Sequence, residues 1–265
     1  MRPILFLGPT LAVEEALRIL PEADVRPPVR AGDVRRALLD SPAAIGIIDG
    51  LYEQVPAVWH KEILFALSKG VHVYGAASMG ALRAAELHTY GMVGLGTIFA
   101  AYASEALEDD DEVSVNHAAA EHRYRPLSEA MVNLRFGLQT AERLQRIAPA
   151  TRDALTAMAK QRFYADRSWT ALFTDGRAAG LPETELRALE AWVKATRPNQ
   201  KAEDAIVLLD RMATDRDRGL PPFAADFAFE PTSHWDRFDK SMTRPVSDGA
   251  PRAGATPGYN PPPDP

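Results

Sequence analysis

Over about its first ninety residues this chain alternates short strand-like runs with amphipathic segments, a pattern that restricts the fold to a parallel sheet covered by helices. Ile4-Leu5-Phe6-Leu7 reads as a first strand ended by Gly8-Pro9-Thr10, Asp24 to Val29 as a second, Ala44 to Ile48 as a third ended by Asp49-Gly50, and Val71 to Tyr74 as a fourth. Between them, Glu14 to Leu20 carries Ala16, Leu17 and Leu20 at helical spacing, and Gly32 to Asp40 reads as a second helix. Pro56 suits the first turn of a third helix, whose stripe of Trp59, Ile63, Leu64 and Leu67 stops at Gly70. The fourth strand runs into Gly75 to Gly80 and then the Ala-rich helix Ala81 to Leu87.

Beyond about residue 97 the pattern turns helical. Ile98 to Leu107 reads as a helix, followed by the acidic run Glu108 to Glu112 and a short strand at Val113 to Val115. Pro126 opens a long helix to about Leu144, and further helices are expected at 150–164, 167–179, 183–196 and 203–216. The fold class is therefore α/β: an N-terminal parallel sheet of about four strands with flanking helices, then a mostly helical region, read as a bundle appended to the sheet, and a Pro-rich tail. The expected divisions are residues 1–120, 121–220 and 221–265. Proline density predicts disorder past about 245, while Phe223, Phe227, Phe229, Trp235 and Phe238 could pin the start of the tail to the body.

Composition narrows the function. Thirty Lys plus Arg against 36 Asp plus Glu leave a net charge of −6, without the basic surplus that phosphate-backbone binding needs, so nucleic acid is not the expected partner. The absence of cysteine rules out disulfides, thiolate metal sites and any persulfide or thioester carried on this chain. A nucleophile here is oxygen or nitrogen. With no signal-peptide pattern and no apolar stretch of membrane-spanning length, a cytoplasmic protein is expected, without a cofactor or a metal; a homo-oligomer is compatible with the sequence.

In an open parallel sheet, ligands bind beyond the carboxyl ends of the strands, where loops and helix N-termini converge. That crevice is predicted to hold Gly8, Pro9, Thr10, Arg30, Asp49, Gly50 and the Gly75 to Gly80 segment. Ser78 stands at a strand-to-helix bend between Ala76 and Gly80, resembling a nucleophile elbow in which the next N–H, that of Met79, faces a developing oxyanion. The bland alternative is that Ser78 caps its helix. Of six histidines, His60 lies closest to the crevice and is the candidate base, with Asp49 to orient it and Glu62 expected to face away; packing is the alternative for His60. His117 and His122 lie beside the acidic run, which reads as a solvated turn or a docking patch. Arg83 and Glu86 are spaced for an ion pair, and Arg30 could hold an anionic group.

Together, Phe6 to Thr10, Arg26-Pro27-Pro28, Gly46 to Gly50, Val58 to Leu64, Gly75 to Leu87 and Pro126 to Asn133 make the first 135 or so residues resemble the TfuA-like family. The resemblance implies a role in peptide backbone thioamidation beside an ATP-dependent YcaO enzyme, in the biosynthesis of ribosomal natural products or on a protein substrate. It implies sulfur delivery by hydrolysis of the C-terminal thiocarboxylate of a small ubiquitin-like carrier, and help for YcaO in engaging its substrate. Ser78, His60 and Asp49 are the site positions inside the matching motifs. The expectation is a serine-type hydrolase. The alternatives are a non-catalytic docking or allosteric partner of YcaO and, more weakly, a nucleotide-binding regulator.

Overall fold

In the computed structural model the strands are Ile4–Phe6 (β1), Asp24–Arg26 (β2), Ala44–Ile47 (β3), His72–Ala76 (β4) and Val93–Leu95 (β5). The structure describes residues 2–51 and 55–243. All pairings are parallel, in the order β2-β1-β3-β4-β5, with Leu5 opposite Gly46 and Ile47 opposite Gly75. The α/β reading holds, with a fifth strand beyond the four expected. β5 is three residues long and centred on Gly94, so it carries no apolar run for a pattern to detect.

Helices Val13–Ile19 (α1), Asp33–Ala37 (α2), His60–Ser68 (α3), Met79–Leu87 (α4) and Gly96–Ala103 (α5) follow the five strands in turn. Ile4, Phe6, Ile45, Ile47 and Val73 pack with Ile63 and Leu67 of α3 and Ala84 and Leu87 of α4 on one face. Phe223 and Phe227 lie against the same cluster, and Phe229 meets Phe65 edge-on with ring centroids 5.1 Å apart. Alternation places Leu5, Ile48 and Tyr74 on the other face with Ala16 and Leu20. Reversal of strand order between β1 and β3 puts the switch point between the turns after those two strands.

The second half departs from an appended bundle. Met131–Arg143 (α6), Pro149–Gln161 (α7), Trp169–Ala178 (α8) and Glu183–Thr196 (α9) share a core of Leu134, Leu138, Leu155, Leu172 and Leu189. Gln200–Arg218 (α10) instead covers the α1 side of the sheet with Ala205, Leu208, Leu209 and Met212. Each fully buried leucine contributes about 1.5–3 kcal/mol. Gly46 permits the approach, since a Cβ there would stand 2.7 Å from Met212 Sδ. Tyr74 donates to Asp215 over 2.9 Å and fixes the far end of α10 to β4. Val113 to Val115, expected as a strand, is irregular. Its carbonyl at Val113 is taken by side chains instead of a ladder.

Residues 1–230 form one unit and 231–265 a second, which contains Ser233–Thr243 (α11) with Trp235 and Phe238. The expected disorder past 245 lies outside the described residues. Among the described residues no helix is long and apolar enough to cross a membrane.

Candidate functional site

The chain bends sharply between β4 and α4. Ala77 has φ of +66°, and Ser78 N–H donates to Ala76 O over 2.8 Å, closing a three-residue turn around it. A left-handed conformation at a residue with a Cβ costs about 1–2 kcal/mol and persists only where the surroundings enforce it. Here the enforcement is packing. A Cβ on Gly80 would stand 1.8 Å from Ile47 O, so α4 lies directly against β3, and Gly80 N–H donates to Ile48 O over 3.3 Å. Ser78 does not cap its helix: its hydroxyl is aimed at Val113 O, 3.5 Å away. Met79 N–H, the first of α4, has no acceptor within the helix by position.

Asp49, expected to orient His60, instead ties the end of β3 to the turn after β1. It accepts from Gly8 N–H at 2.8 Å, Thr10 N–H at 3.1 Å and Thr10 Oγ1 at 2.6 Å. Lys201, in the first turn of α10, reaches into the same place. Its Nζ donates to Val113 O at 2.9 Å and stands 3.9 Å from Asp49 Oδ1, with the side chain only 3% exposed. Ser78 and Lys201 therefore lean on one carbonyl oxygen. Burial pushes the pKa of Lys201 below its ordinary value, against the pull of Asp49 and Glu129. Burial also pushes the Glu129 carboxyl up, opposed by hydrogen bonds from Asn133 and from Ala130 N–H. Asn133 connects the two groups, since its Oδ1 accepts from Lys201 N–H at 3.1 Å and its Nδ2 donates to Glu129 at 2.8 Å.

Ser78 is 3% exposed and faces a cavity of about 20 Å³, room for a single water. Pro9, Asp49 and Gly50 line it from the ends of β1 and β3, and Val113, Val115, Asn116, His117 and Tyr164 line it as a cover from the second half of the chain. The acidic run is solvated over Glu108 to Asp110, while its last two residues, Asp111 and Glu112, tie that cover to the helical half. Glu112, nearly buried, pairs with Arg135 at 2.7 Å; Lys160 meets Asp109, Asp111 and Glu112; the buried Arg167 grips Asp111 through its carboxylate and its carbonyl. Beyond the cover, residues 116–127 fold back as a hairpin in which Ala118 N–H donates to Arg125 O and Leu127 N–H to Asn116 O. A groove of about 570 Å³ runs between that hairpin and the turn after β1, and Pro9 lines both groove and cavity.

His60 goes elsewhere. Its Nε2 pairs with Glu86 at 2.7 Å, both side chains near half exposed, and Glu86 also accepts from Arg83 at 2.7 Å. Glu86 lies about two helical turns along α4 from Ser78, and His60 is not among the described residues lining the cavity. Glu62 faces inward, accepting from Gly32, Arg35 and Trp59 N–H groups, so it fixes the starts of α2 and α3. Arg30 is half exposed beside Asp33, away from the cavity. Met79 packs in the core against Gly50, whose added Cβ would lie 2.7 Å from that of Met79. Among the described residues no cluster of His, Cys, Asp and Glu is placed to hold a metal ion.

Lys201 was not legible in the sequence. Its signal, a lysine in the first turn of a helix capped by Asn199, is shared with many solvent-facing lysines. Residues 49–168 match the family profile described as TfuA-like protein. A comparison with curated proteins gives no match. The matched stretch contains Asp49, Ser78, the acidic run and the hairpin, and it ends before Lys201.

Proposed function

The chain belongs to the TfuA-like family through residues 49–168, and we propose that it releases sulfide for peptide backbone thioamidation by hydrolysing the thiocarboxylate of a small ubiquitin-like carrier beside a YcaO enzyme. The family is associated with YcaO-type thioamidation systems; the hydrolytic step is our reading of the site. One observation carries it: Ser78 Oγ, which faces a small cavity, and the buried Lys201 Nζ both point at Val113 O.

In this reading, neutral Lys201 takes the proton of Ser78 Oγ as the oxygen attacks the thiocarboxylate carbon. Lysine suits the role because burial favours its neutral form. Negative charge collects on the former carbonyl oxygen, beside Met79 N–H at the positive end of α4. Sulfur leaves as HS⁻, which requires a proton on it, since the doubly charged sulfide is far too basic to depart. Water then hydrolyses the acyl-enzyme, and Lys201 returns its proton to Ser78. Asp49 holds the turn that lines the cavity and steadies the lysine.

The test is sulfide release from a ubiquitin-like carrier bearing a C-terminal thiocarboxylate. Ser78→Ala and Lys201→Met should each abolish it while leaving the protein folded; normal release from Ser78→Ala would end the reading. The small cavity favours a second reading, a docking partner that raises YcaO affinity for its peptide without catalysis. Under that reading Ser78→Ala is silent both with a carrier and with inorganic sulfide supplied.

A further inference from the structure

We propose that His117 is a second catalytic residue of this cavity, the acid that protonates the departing sulfur. The inference rests on the hydrolytic reading above and adds the group that its chemistry lacks. A thiocarboxylate is anionic at neutral pH, so attack on its carbon leaves charge on both oxygen and sulfur. The carbon–sulfur bond breaks productively only if sulfur receives a proton. Lys201 has just accepted one from Ser78 Oγ, and it lies against Val113 O on the serine side. A separate donor facing the sulfur relieves the lysine of serving both atoms in one step.

His117 meets the requirement by position and by tautomer. It lines the same cavity as Ser78, together with Pro9, Asp49 and Gly50. Its Nδ1 lies 2.9 Å from Ala118 O. A carbonyl only accepts, so Nδ1 carries a hydrogen, and Nε2 is the nitrogen that gains or loses a proton. The ring is held by the hairpin, with Pro126 paired across from His117 and the Tyr124 ring edge-on at 5.6 Å.

The step balances. Protonated His117 gives its Nε2 proton to sulfur while neutral Lys201 takes the Ser78 proton. The carbon–oxygen bond forms, the carbon–sulfur bond breaks, and HS⁻ departs from an acyl-serine flanked by neutral histidine and charged lysine. In the second half, His117 takes a proton from the attacking water and Lys201 returns its proton to Ser78 Oγ. A carboxylic acid leaves and both groups are restored.

The experiment compares one carrier in two forms, its C-terminal thiocarboxylate and its phenyl thioester, in single-turnover acylation by the full chain. Thiophenolate departs without a proton, whereas sulfide does not. His117→Gln should lower the ratio of sulfide to thiophenol release about a hundredfold, the scale of general acid catalysis. Its melting temperature should stay near wild type, because the side chain is partly exposed on a hairpin. Lys201→Met should slow both forms alike. A ratio within threefold of wild type in His117→Gln overturns the assignment and leaves His117 as a wall. Ser78→Ala, run in parallel, tests the parent reading separately, since sulfide release that survives it removes the acyl-serine itself.

Discussion

Replacing Lys201 with methionine keeps most of the side-chain volume and removes only the amine, so it separates base from packing. A general base contributes about a hundred- to ten-thousandfold in rate, or about 3–5 kcal/mol of activation free energy. Stability should move far less. The variant loses the 2.9 Å bond to Val113 O, worth about 0.5–1.5 kcal/mol for a neutral donor. It also removes a buried polar amine whose desolvation costs about 1–3 kcal/mol. Asp49 is not orphaned, because Gly8 N–H, Thr10 N–H and Thr10 Oγ1 still donate to it. The terms oppose, leaving a net change within about 2 kcal/mol, or less than about 8 °C in melting temperature for a chain of this size. Sulfide release should fall a hundredfold or more with little change in the melt. The pH profile is a second readout. The base must be neutral, so the wild-type rate rises as pH passes its pKa, and burial places that limb below the ordinary lysine range. The limb should be missing from Lys201→Met. A variant that keeps over a tenth of wild-type release, or keeps the limb, refutes the assignment.

Three further outcomes follow from the geometry. His60→Ala should cost under about 1 kcal/mol and leave sulfide release near wild type, since the pair with Glu86 is half exposed; a loss as deep as that of Ser78→Ala would restore His60 as the base. Arg167→Ala should destabilise by about 3 kcal/mol or more in chemical denaturation, because a buried guanidinium with contacts to Asp111, Ala159 O and Arg162 O vanishes; a change below 1 kcal/mol would mean the cover is not held from the helical half. Gly80→Ala should cost about 1–3 kcal/mol and depress sulfide release, since the new Cβ drives α4 off Ile47 O. Unchanged melting and activity would show that the bend tolerates displacement.

What the sequence revealed was local. Short apolar runs with turn residues announced β1, β3 and β4, and the small residues around Ser78 announced a bend, because each depends on neighbours a few positions away. That Lys201 shares the Val113 carbonyl with Ser78 depends on α10 crossing the sheet, which follows from Gly46 and the stripe of Leu208, Leu209 and Met212 meeting at a distance no spacing encodes. Asp49 was found by its place after β3, yet its partners are Gly8 and Thr10 instead of His60, since burial favours nearby backbone N–H groups over a half-exposed ring. The anchoring of Asp111 and Glu112 at the end of the acidic run was not legible because their cations, Arg135, Lys160 and Arg167, are scattered along the helical half.

Those cations explain why the two halves belong to one site. The sheet supplies Ser78 and Asp49, and α10 supplies Lys201, but the carbonyl that both Ser78 and Lys201 address comes from Val113, immediately after the acidic run. Without the pairs to Arg135, Lys160 and Arg167, made one to four residues upstream, that carbonyl would lose the contacts that position it. The same pairs keep a cavity with room for one water closed over the serine. An activated hydroxyl open to solvent would cleave any reactive acyl group that reached it. In the proposed reading, one behind a cover held by these ion pairs would admit only a ligand whose binding offsets the cost of moving them, which would link hydrolysis to docking of the carrier.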